Sequence, residues 1–364
     1  MSSSAADTDV LHLARALQLA ERGLYTTDPN PRVGCVLAKG ERIVGEGWHE
    51  RAGGPHAEVQ ALRAAGSQAA GSTAYVTLEP CSHVGRTPPC ADALIAAGIT
   101  RVVACVADPS PKVNGAGFAR LRDAGIEVSC GLLEREARAL NPGFFARFEK
   151  RRPFVRLKLA MSVDGRTALH NGQSQWITGE AARTDVQRFR ARSSAILTGA
   201  GTVRTDDPQL NVRLNYGAWV RQPLRVVLDA RLSLAPDASV FAGGDCLVFA
   251  ANGGEPRPDF PAEIARVPDV DGALNLPAVL DALAAREINE VLVECGARLA
   301  ASFLQQGLVD EWILYMAPVL FGSDGRALIA LQGLPDIASA PRFTYADVRQ
   351  IGEDLRVILQ PKQA

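Results

Sequence analysis

His56 and Glu58 stand two positions apart, and Cys81 and Cys90 follow with eight residues between them. One imidazole and two thiolates can supply three protein ligands to a tetrahedral zinc. The fourth position is then open to water, as in a catalytic rather than a structural site. Zinc lowers the pKa of such a water, so hydroxide becomes available near neutral pH. Glu58, at the start of a helical pattern, can sit beside the metal without binding it and shuttle a proton from the water to a leaving group. Either piece alone is weak, because His-x-Glu is common and two cysteines in an α/β chain are usually just buried. Their order together, with Pro80 before the first cysteine and a helical run after the second, is specific.

His-x-Glu, then Pro-Cys, then a second Cys is the pattern of zinc deaminases, and an amino-pyrimidine is the expected substrate. The usual gap between the cysteines is two residues. The longer loop here holds Gly85, Pro88 and Pro89, which allow it to turn back onto one metal. His83 inside that loop could replace a ligand, but His56 beside Glu58 fits better. Asn30, between Pro29 and Pro31, offers an amide able to read a pyrimidine edge, and His49 could do likewise. Arg86 in the inter-cysteine loop could pair with a phosphate. For each of these three, an ordinary turn or surface role is an equally good reading.

The elements that must position these groups alternate. A helix is expected over Val10–Arg22 with Thr8 or Asp9 as its N-cap, then strands Val33–Ala38 and Arg42–Gly47. Helix Ala57–Ala65, strand Ala74–Leu78, helix Ala91–Ala97, strand Val102–Ala107, helix Phe118–Ala124 and strand Ile126–Ser129 complete an α/β layer on a mixed sheet. The charged run from Phe148 to Pro153 reads as a linker, dividing the chain into domains 1–150 and 151–364. Beyond it come strand Phe154–Ala160, helix Glu180–Arg192, and strands Ala195–Thr198, Leu224–Asp229 and Cys246–Ala250. Helix Leu276–Arg286, strand Glu290–Glu294, helix Ala297–Gln306, strand Glu311–Met316 and a hairpin over Arg342–Leu359 end the chain. This half has no Gly-x-Gly-x-x-Gly after its first strand, so a Rossmann fingerprint is absent. Gly199–Val203 reads as a strand-to-loop passage, and the helix start at Gly296 could cradle a phosphate. Simple strand capping by these glycines is the competing reading.

Bulk properties narrow the classes. With 39 basic and 40 acidic residues, the chain has no general field to hold a polynucleotide. No secretory signal and no apolar run of membrane length is evident. Seven scattered cysteines suit a reducing, cytoplasmic setting in which clustered Cys and His bind metal.

The run Thr27-Asp28-Pro29-Asn30-Pro31-Arg32-Val33-Gly34-Cys35, the two metal segments and the Thr87-Pro88-Pro89-Cys90 loop ending resemble the bifunctional deaminase/reductase family of riboflavin biosynthesis. The loop ending separates that family from cytidine and tRNA adenosine deaminases. The second half carries its motifs too: Lys158 to Thr167, Ser174 to Thr178, Gly199 to Val203 with Asp206-Asp207-Pro208, and Val293-Glu294-Cys295-Gly296. The resemblance covers nearly the whole chain. It implies a cytidine-deaminase-like three-layer α/β/α domain followed by a dihydrofolate-reductase-like α/β domain. It implies hydrolytic deamination of a diamino-pyrimidinone ribosylamine phosphate, then NADPH-dependent reduction of the ribosyl unit to ribityl. By the same resemblance Ala160, Trp176, Thr202, Asp206 and the turn Gly296, Ala297, Arg298, Leu299, Ala300, Ala301 and Ser302 would contact NADPH. Ser174, Arg190, Leu210, Arg213 and Glu294 would line the substrate pocket, and Lys158 and Glu294 are candidates for proton handling or substrate orientation. Ala230 stands where the family often has Ser, so one hydroxyl contact to cofactor would be lost. A homo-oligomer, dimer or tetramer, is expected. The alternative is a zinc deaminase of a nucleoside or nucleic-acid base with a non-reductase second domain.

Overall fold

The protein's structure, a computed structural model, describes residues 5–82, 88–213, 220–253 and 260–362, and the chain divides into two compact units, Met1–Arg151 and Arg152–Ala364. In the first unit, α1 (Ala5–Glu21) begins ahead of Val10, so neither Thr8 nor Asp9 is its cap. The Asp9 carboxylate is buried and engaged with the sheet. It accepts two hydrogen bonds from Arg101, at 2.8 and 2.7 Å, and one from the Tyr75 hydroxyl at 2.9 Å. The Arg101 guanidinium holds that carboxyl below its ordinary value.

Strands β1 (Gly34–Lys39) and β2 (Arg42–Trp48) form a hairpin and α2 (Ala57–Ala65) follows. Then come β3 (Thr73–Val76), α3 (Cys90–Ala96), β4 (Arg101–Ala104), α4 (Ala116–Asp123) and β5 (Glu127–Cys130). The sheet runs β2-β1-β3-β4-β5, with β1 antiparallel to both neighbours and β3, β4 and β5 parallel. Alternation along each strand separates two cores. Cys35 and Leu37 face Ala57, Ala61, Leu94 and Leu121 of α2 to α4, whereas Val36 and Ala38 face Leu13, Ala16 and Leu19 of α1. The unit is therefore three layers. Its α1-side layer also contains α5 (Glu134–Leu140) and α6 (Pro142–Glu149), which bury Ala137, Phe144 and Phe145. The expected linker thus begins inside a helix: Pro142 opens α6 and its two phenylalanines anchor it.

Two glycines let α2 lie directly on β2. A Cβ on Gly45 would fall 2.4 Å from the Ala61 carbonyl oxygen, and one on Gly47 would fall 2.4 Å from the Ala61 nitrogen and 2.5 Å from the Ala57 carbonyl oxygen.

The second unit contains β6 (Phe154–Ser162), β7 (Arg166–Ala168), α7 (Glu180–Arg192), β8 (Ala195–Gly199), α8 (Ala200–Asp206), β9 (Leu224–Leu228), β10 (Cys246–Ala251) and β11 (Glu263–Val267). After these come β12 (Asp269–Val270), β13 (Ala273–Leu274), α9 (Leu276–Ala285), β14 (Glu290–Glu294), α10 (Ala297–Gln305) and β15 (Glu311–Ala317). The last elements are β16 (Arg326–Ala327), β17 (Phe343–Ile351) and β18 (Asp354–Pro361). Nine strands form one sheet in the order β11-β10-β9-β8-β14-β6-β15-β18-β17, parallel except where β18 joins β15 and β17. Helices α9 and α10 cover one face through Val279, Leu280 and Phe303, and α7 and α8 cover the other through Val186, Phe189 and Val203. The passage after Gly199 is a helix and not the expected loop, because Ala200 and Val203 pack into that second core. All seven cysteines are free, and no helix among the described residues is long and apolar enough to cross a membrane.

Candidate active sites

His56 immediately precedes α2, Cys90 opens α3, and Cys81 lies in the segment after β3. His56 Nδ1 is 3.6 Å from Cys81 Sγ and 3.3 Å from Cys90 Sγ, and the Cys90 N–H donates to Cys81 Sγ at 3.3 Å. Ligand atoms of a tetrahedral zinc with ordinary Zn–S and Zn–N bonds stand roughly 3.6 Å apart. The three atoms therefore fit that ion, and they are the His/Cys/Asp/Glu cluster among the described residues placed to hold a metal. Hydrogen bonding from Cys90 and His56 lowers the Cys81 thiol against its burial, the direction a thiolate ligand needs.

Glu58 lies one residue into α2 and is buried beside the cluster. Burial pushes its carboxyl up, with His56 pulling the other way. A raised carboxyl suits a group that must take a proton and give it back. Asn30 and His49 come together at this site. Asn30 Nδ2 lies 3.1 Å from His49 Nε2, and His49 Nδ1 lies 3.0 Å from the Pro55 carbonyl oxygen. A carbonyl can only accept, so Nδ1 carries the proton and Nε2 accepts from Asn30. Burial pushes the His49 imidazole down, and its ring meets the His56 ring edge-on at 5.3 Å between centroids. Arg86 and His83 lie outside the described residues.

Two carboxylates with no sequence signal complete the surroundings. Glu79 is buried and accepts the backbone N–H groups of Asp108, Gly115, Gly117 and Phe118, at 3.1, 3.0, 2.9 and 3.2 Å. A Cβ on Gly117 would lie 2.0 Å from the Pro80 carbonyl oxygen, so this segment is strapped against the residues that present Cys81. Asp108 is itself buried; burial first, then the charges of Glu79 and Cys81, push its carboxyl up to about 7.

In the second unit, Glu294 at the end of β14 lies in register with Lys158 on β6. The Glu294 carboxylate receives Arg190 Nε at 2.6 Å and Nη2 at 3.0 Å, and Arg190 Nη1 donates to the Asn211 carbonyl at 3.1 Å. Arg190 is thereby committed to Glu294 and to the segment that presents Arg213. Arg213 is exposed, with its N–H on Gln187 Oε1 at 3.0 Å. Leu210 is 2 % exposed and packed in the α7-side core. Burial lowers the Lys158 ammonium, while Glu294 opposes it.

Burial would raise Glu294, but Arg190 and Lys158 outweigh it and hold the carboxyl at about 2 against an ordinary 4.5. A carboxyl depressed in this way stabilises the fold fully above 4.5, and its contribution disappears as pH falls towards 2. Urea midpoints of Glu294→Gln should therefore sit below those of the parent above pH 4.5 and converge with them as pH approaches 2. A constant gap would show that the pair's contribution does not titrate.

The cofactor candidates lie on several elements of this unit. Ala160 is half-buried on β6 and Ser174 is half-buried. Trp176 is 69 % exposed, with the Arg183 guanidinium 4.7 Å above its ring, and forms a wall of a groove of about 420 Å³ with Thr178, Pro318 and Val319. Thr202 and Asp206 are on α8, where burial raises the Asp206 carboxyl and Arg326 opposes it. Gly296 caps α10; Ala297, Arg298, Leu299 and Ser302 line its first turns, and Ala300 and Ala301 face the core. Strands β8 and β14 are neighbours, so α8 and α10 start side by side. A Cβ on Gly201 or Gly296 would meet nothing within 4 Å, so there is open space beside both helix starts, as a cofactor diphosphate bound there would need. The Ala230 carbonyl accepts the Ala251 N–H at 3.1 Å.

Comparison with known proteins agrees with this geometry. Residues 6–106 match the model of the cytidine and deoxycytidylate deaminase zinc-binding region, and residues 153–357 match that of the RibD C-terminal domain. The riboflavin biosynthesis protein RibD of Escherichia coli is 49% identical over 359 residues, covering 95% of this chain and 98% of its own length. The chain belongs to the RibD family of riboflavin biosynthesis proteins. RibD of Haemophilus influenzae is 46% identical, with 97% of this chain and 98% of that protein covered. Among solved structures, Acinetobacter baumannii RibD is 45% identical with a TM-score of 0.92, covering 98% of this chain and 99% of that one. The diaminohydroxyphosphoribosylaminopyrimidine deaminase/5-amino-6-(5-phosphoribosylamino)uracil reductase of Thermotoga maritima is 37% identical with a TM-score of 0.86, at 98% and 99% coverage. As a member of that family, the chain is a bifunctional deaminase and reductase of riboflavin biosynthesis that acts on a small phosphorylated pyrimidine with zinc and NADPH. Membership excludes the alternative of a second domain unrelated to reduction.

Proposed function

We propose that residues 1–150 deaminate the diamino-pyrimidinone ribosylamine phosphate and residues 151–364 reduce the ribosyl unit of the product to ribityl. His56, Cys81 and Cys90 would hold the zinc, which when bound supplies the Lewis acidity that activates water near neutral pH. Glu58 accepts the proton of the attacking water and returns it to the departing ammonia. Asn30 presents its amide to the pyrimidine edge, the neutral His49 imidazole holds that amide through Nε2, and Arg86 pairs with the phosphate. NADPH supplies the hydride in the second step. There Lys158 delivers the proton to the ring-opened sugar, Glu294 fixes Lys158, and Arg213 faces the phosphate while Arg190 holds Glu294. The observation that carries the first half is the 3.3 and 3.6 Å approach of His56 Nδ1 to both cysteine sulfurs with Glu58 buried alongside.

Zinc-loaded protein incubated with the phosphorylated substrate should release ammonia without NADPH and oxidise NADPH only after deamination. NADPH oxidation ahead of ammonia release would overturn the order. We also infer a cytoplasmic homo-oligomer that binds no nucleic acid. Support for self-association comes from edge strand β17, which leaves Tyr345 and Val348 exposed.

A further inference from the structure

Asn141 separates α5 from α6 and is buried, yet its side chain does not cap α6. Its amide pairs with the beginning of the unit. Oδ1 accepts the Arg32 N–H at 2.8 Å and Nδ2 donates to the Arg32 carbonyl at 2.9 Å, both buried. One side chain thus meets both backbone groups of a single residue, as a neighbouring strand would. A third bond runs the other way, from Arg32 Nη1 to the Leu140 carbonyl at 2.9 Å.

Arg32 closes the segment Asp28-Pro29-Asn30-Pro31, in which the two prolines have no N–H to give. The Asn30 N–H is used within the turn, on the Thr27 carbonyl at 2.8 Å. Further along, the Val33 carbonyl accepts the His49 N–H at 2.9 Å. Between the turn and the hairpin, the paired bonds of the Asn141 amide help to set where this segment runs. Two residues upstream of that clamp is the Asn30 amide, 3.1 Å from His49 Nε2.

We propose that Asn141 is a positioning residue for deamination: its two bonds to Arg32 hold the Asn30 amide in place against His49, so that α5 and α6 brace the substrate-recognition segment from behind. This rests on the reading of Asn30 as a substrate-facing group held by His49. The zinc ligands and Glu58 are carried by α2, α3 and the segment after β3. Loss of the clamp therefore weakens substrate binding and leaves the metal and the proton shuttle in place.

The test uses the full-length, zinc-loaded chain. Ammonia release from the phosphorylated diamino-pyrimidine is the first readout, and NADPH oxidation with its deaminated product is the second. Asn141→Ala should raise the deamination KM about tenfold, leave kcat within about threefold, and leave zinc content and reduction unchanged. Asn141→Asp keeps the acceptor for the Arg32 N–H but sets an oxygen against the Arg32 carbonyl. Its KM, relative to the parent at the same pH, should be raised at neutral pH and approach the parent as acid protonates the new carboxyl. If the alanine variant does not fold, the aspartate variant decides. A KM within about twofold of the parent in the folded variants overturns the proposal, as does a fall in kcat matched by loss of zinc. Asn30→Ala separates the two readings. An unchanged KM there removes Asn30 as a substrate group and the proposal with it. A raised KM there, without one in the Asn141 variants, overturns the proposal alone.

Discussion

Replacing Glu58 by Gln should lower the kcat of deamination by roughly 10²–10⁴-fold, while zinc content and NADPH-dependent reduction remain at parental levels. The substitution keeps the size and most of the polarity of a side chain buried beside Cys90, so the first turn of α2 has no reason to move. What disappears is a group that can be protonated and deprotonated within one turnover. Zinc analysis and ammonia release on the same sample check this. Loss of zinc would make Glu58 a ligand. An unchanged rate would hand the proton to another group, with Asp108, a buried carboxyl pushed up to about 7, first in line.

Lys158→Met should lower the kcat of reduction by about 10²-fold or more, with NADPH affinity and deamination unaltered. Methionine has similar length and no proton to deliver. The fold tolerates it because Glu294 keeps both bonds to Arg190. Burial lowers the Lys158 ammonium and brings it closer to working pH, the direction a proton donor needs. Single-turnover NADPH oxidation reads the chemical step directly. A weaker NADPH affinity with an unchanged rate constant would place Lys158 in cofactor binding instead.

Much of the deaminase site was legible because its ligands come in short segments whose types and order are constrained by the metal. His56 with Glu58 and Cys81 with Cys90 are such segments, and the structure brings the three ligand atoms together. Asn30 and His49 were visible only as polar residues near turns, and their mutual bond needed the fold. Glu79 and Asp108 could not be read. A carboxylate engaged by backbone N–H groups more than twenty residues away leaves no pattern in the chain. The start of α1 was misplaced for a related reason: Asp9 has the character of a cap, but Arg101 and Tyr75 claim its oxygens. Helix α6 was hidden because its charged end reads as a linker, while Phe144 and Phe145 decide the matter by packing. In the second unit, alternation predicted most strands, but helix α8 follows Gly199 so closely that glycine content outweighed periodicity.

The contact of α2 with Gly45 and Gly47 has a bearing on how this enzyme can vary. Helix and strand meet there backbone to backbone, and a single methyl group on either glycine would overlap main-chain atoms 2.4 Å away. Main-chain atoms cannot swing aside as a side chain can, so the helix itself would have to retreat, carrying His56 and Glu58 off their partners. The placement of the proton shuttle is thus guarded at two positions that touch neither metal nor substrate. Homologues and designed variants are free to remodel the solvent side of α2, but the strand beneath it admits only hydrogen at these two positions.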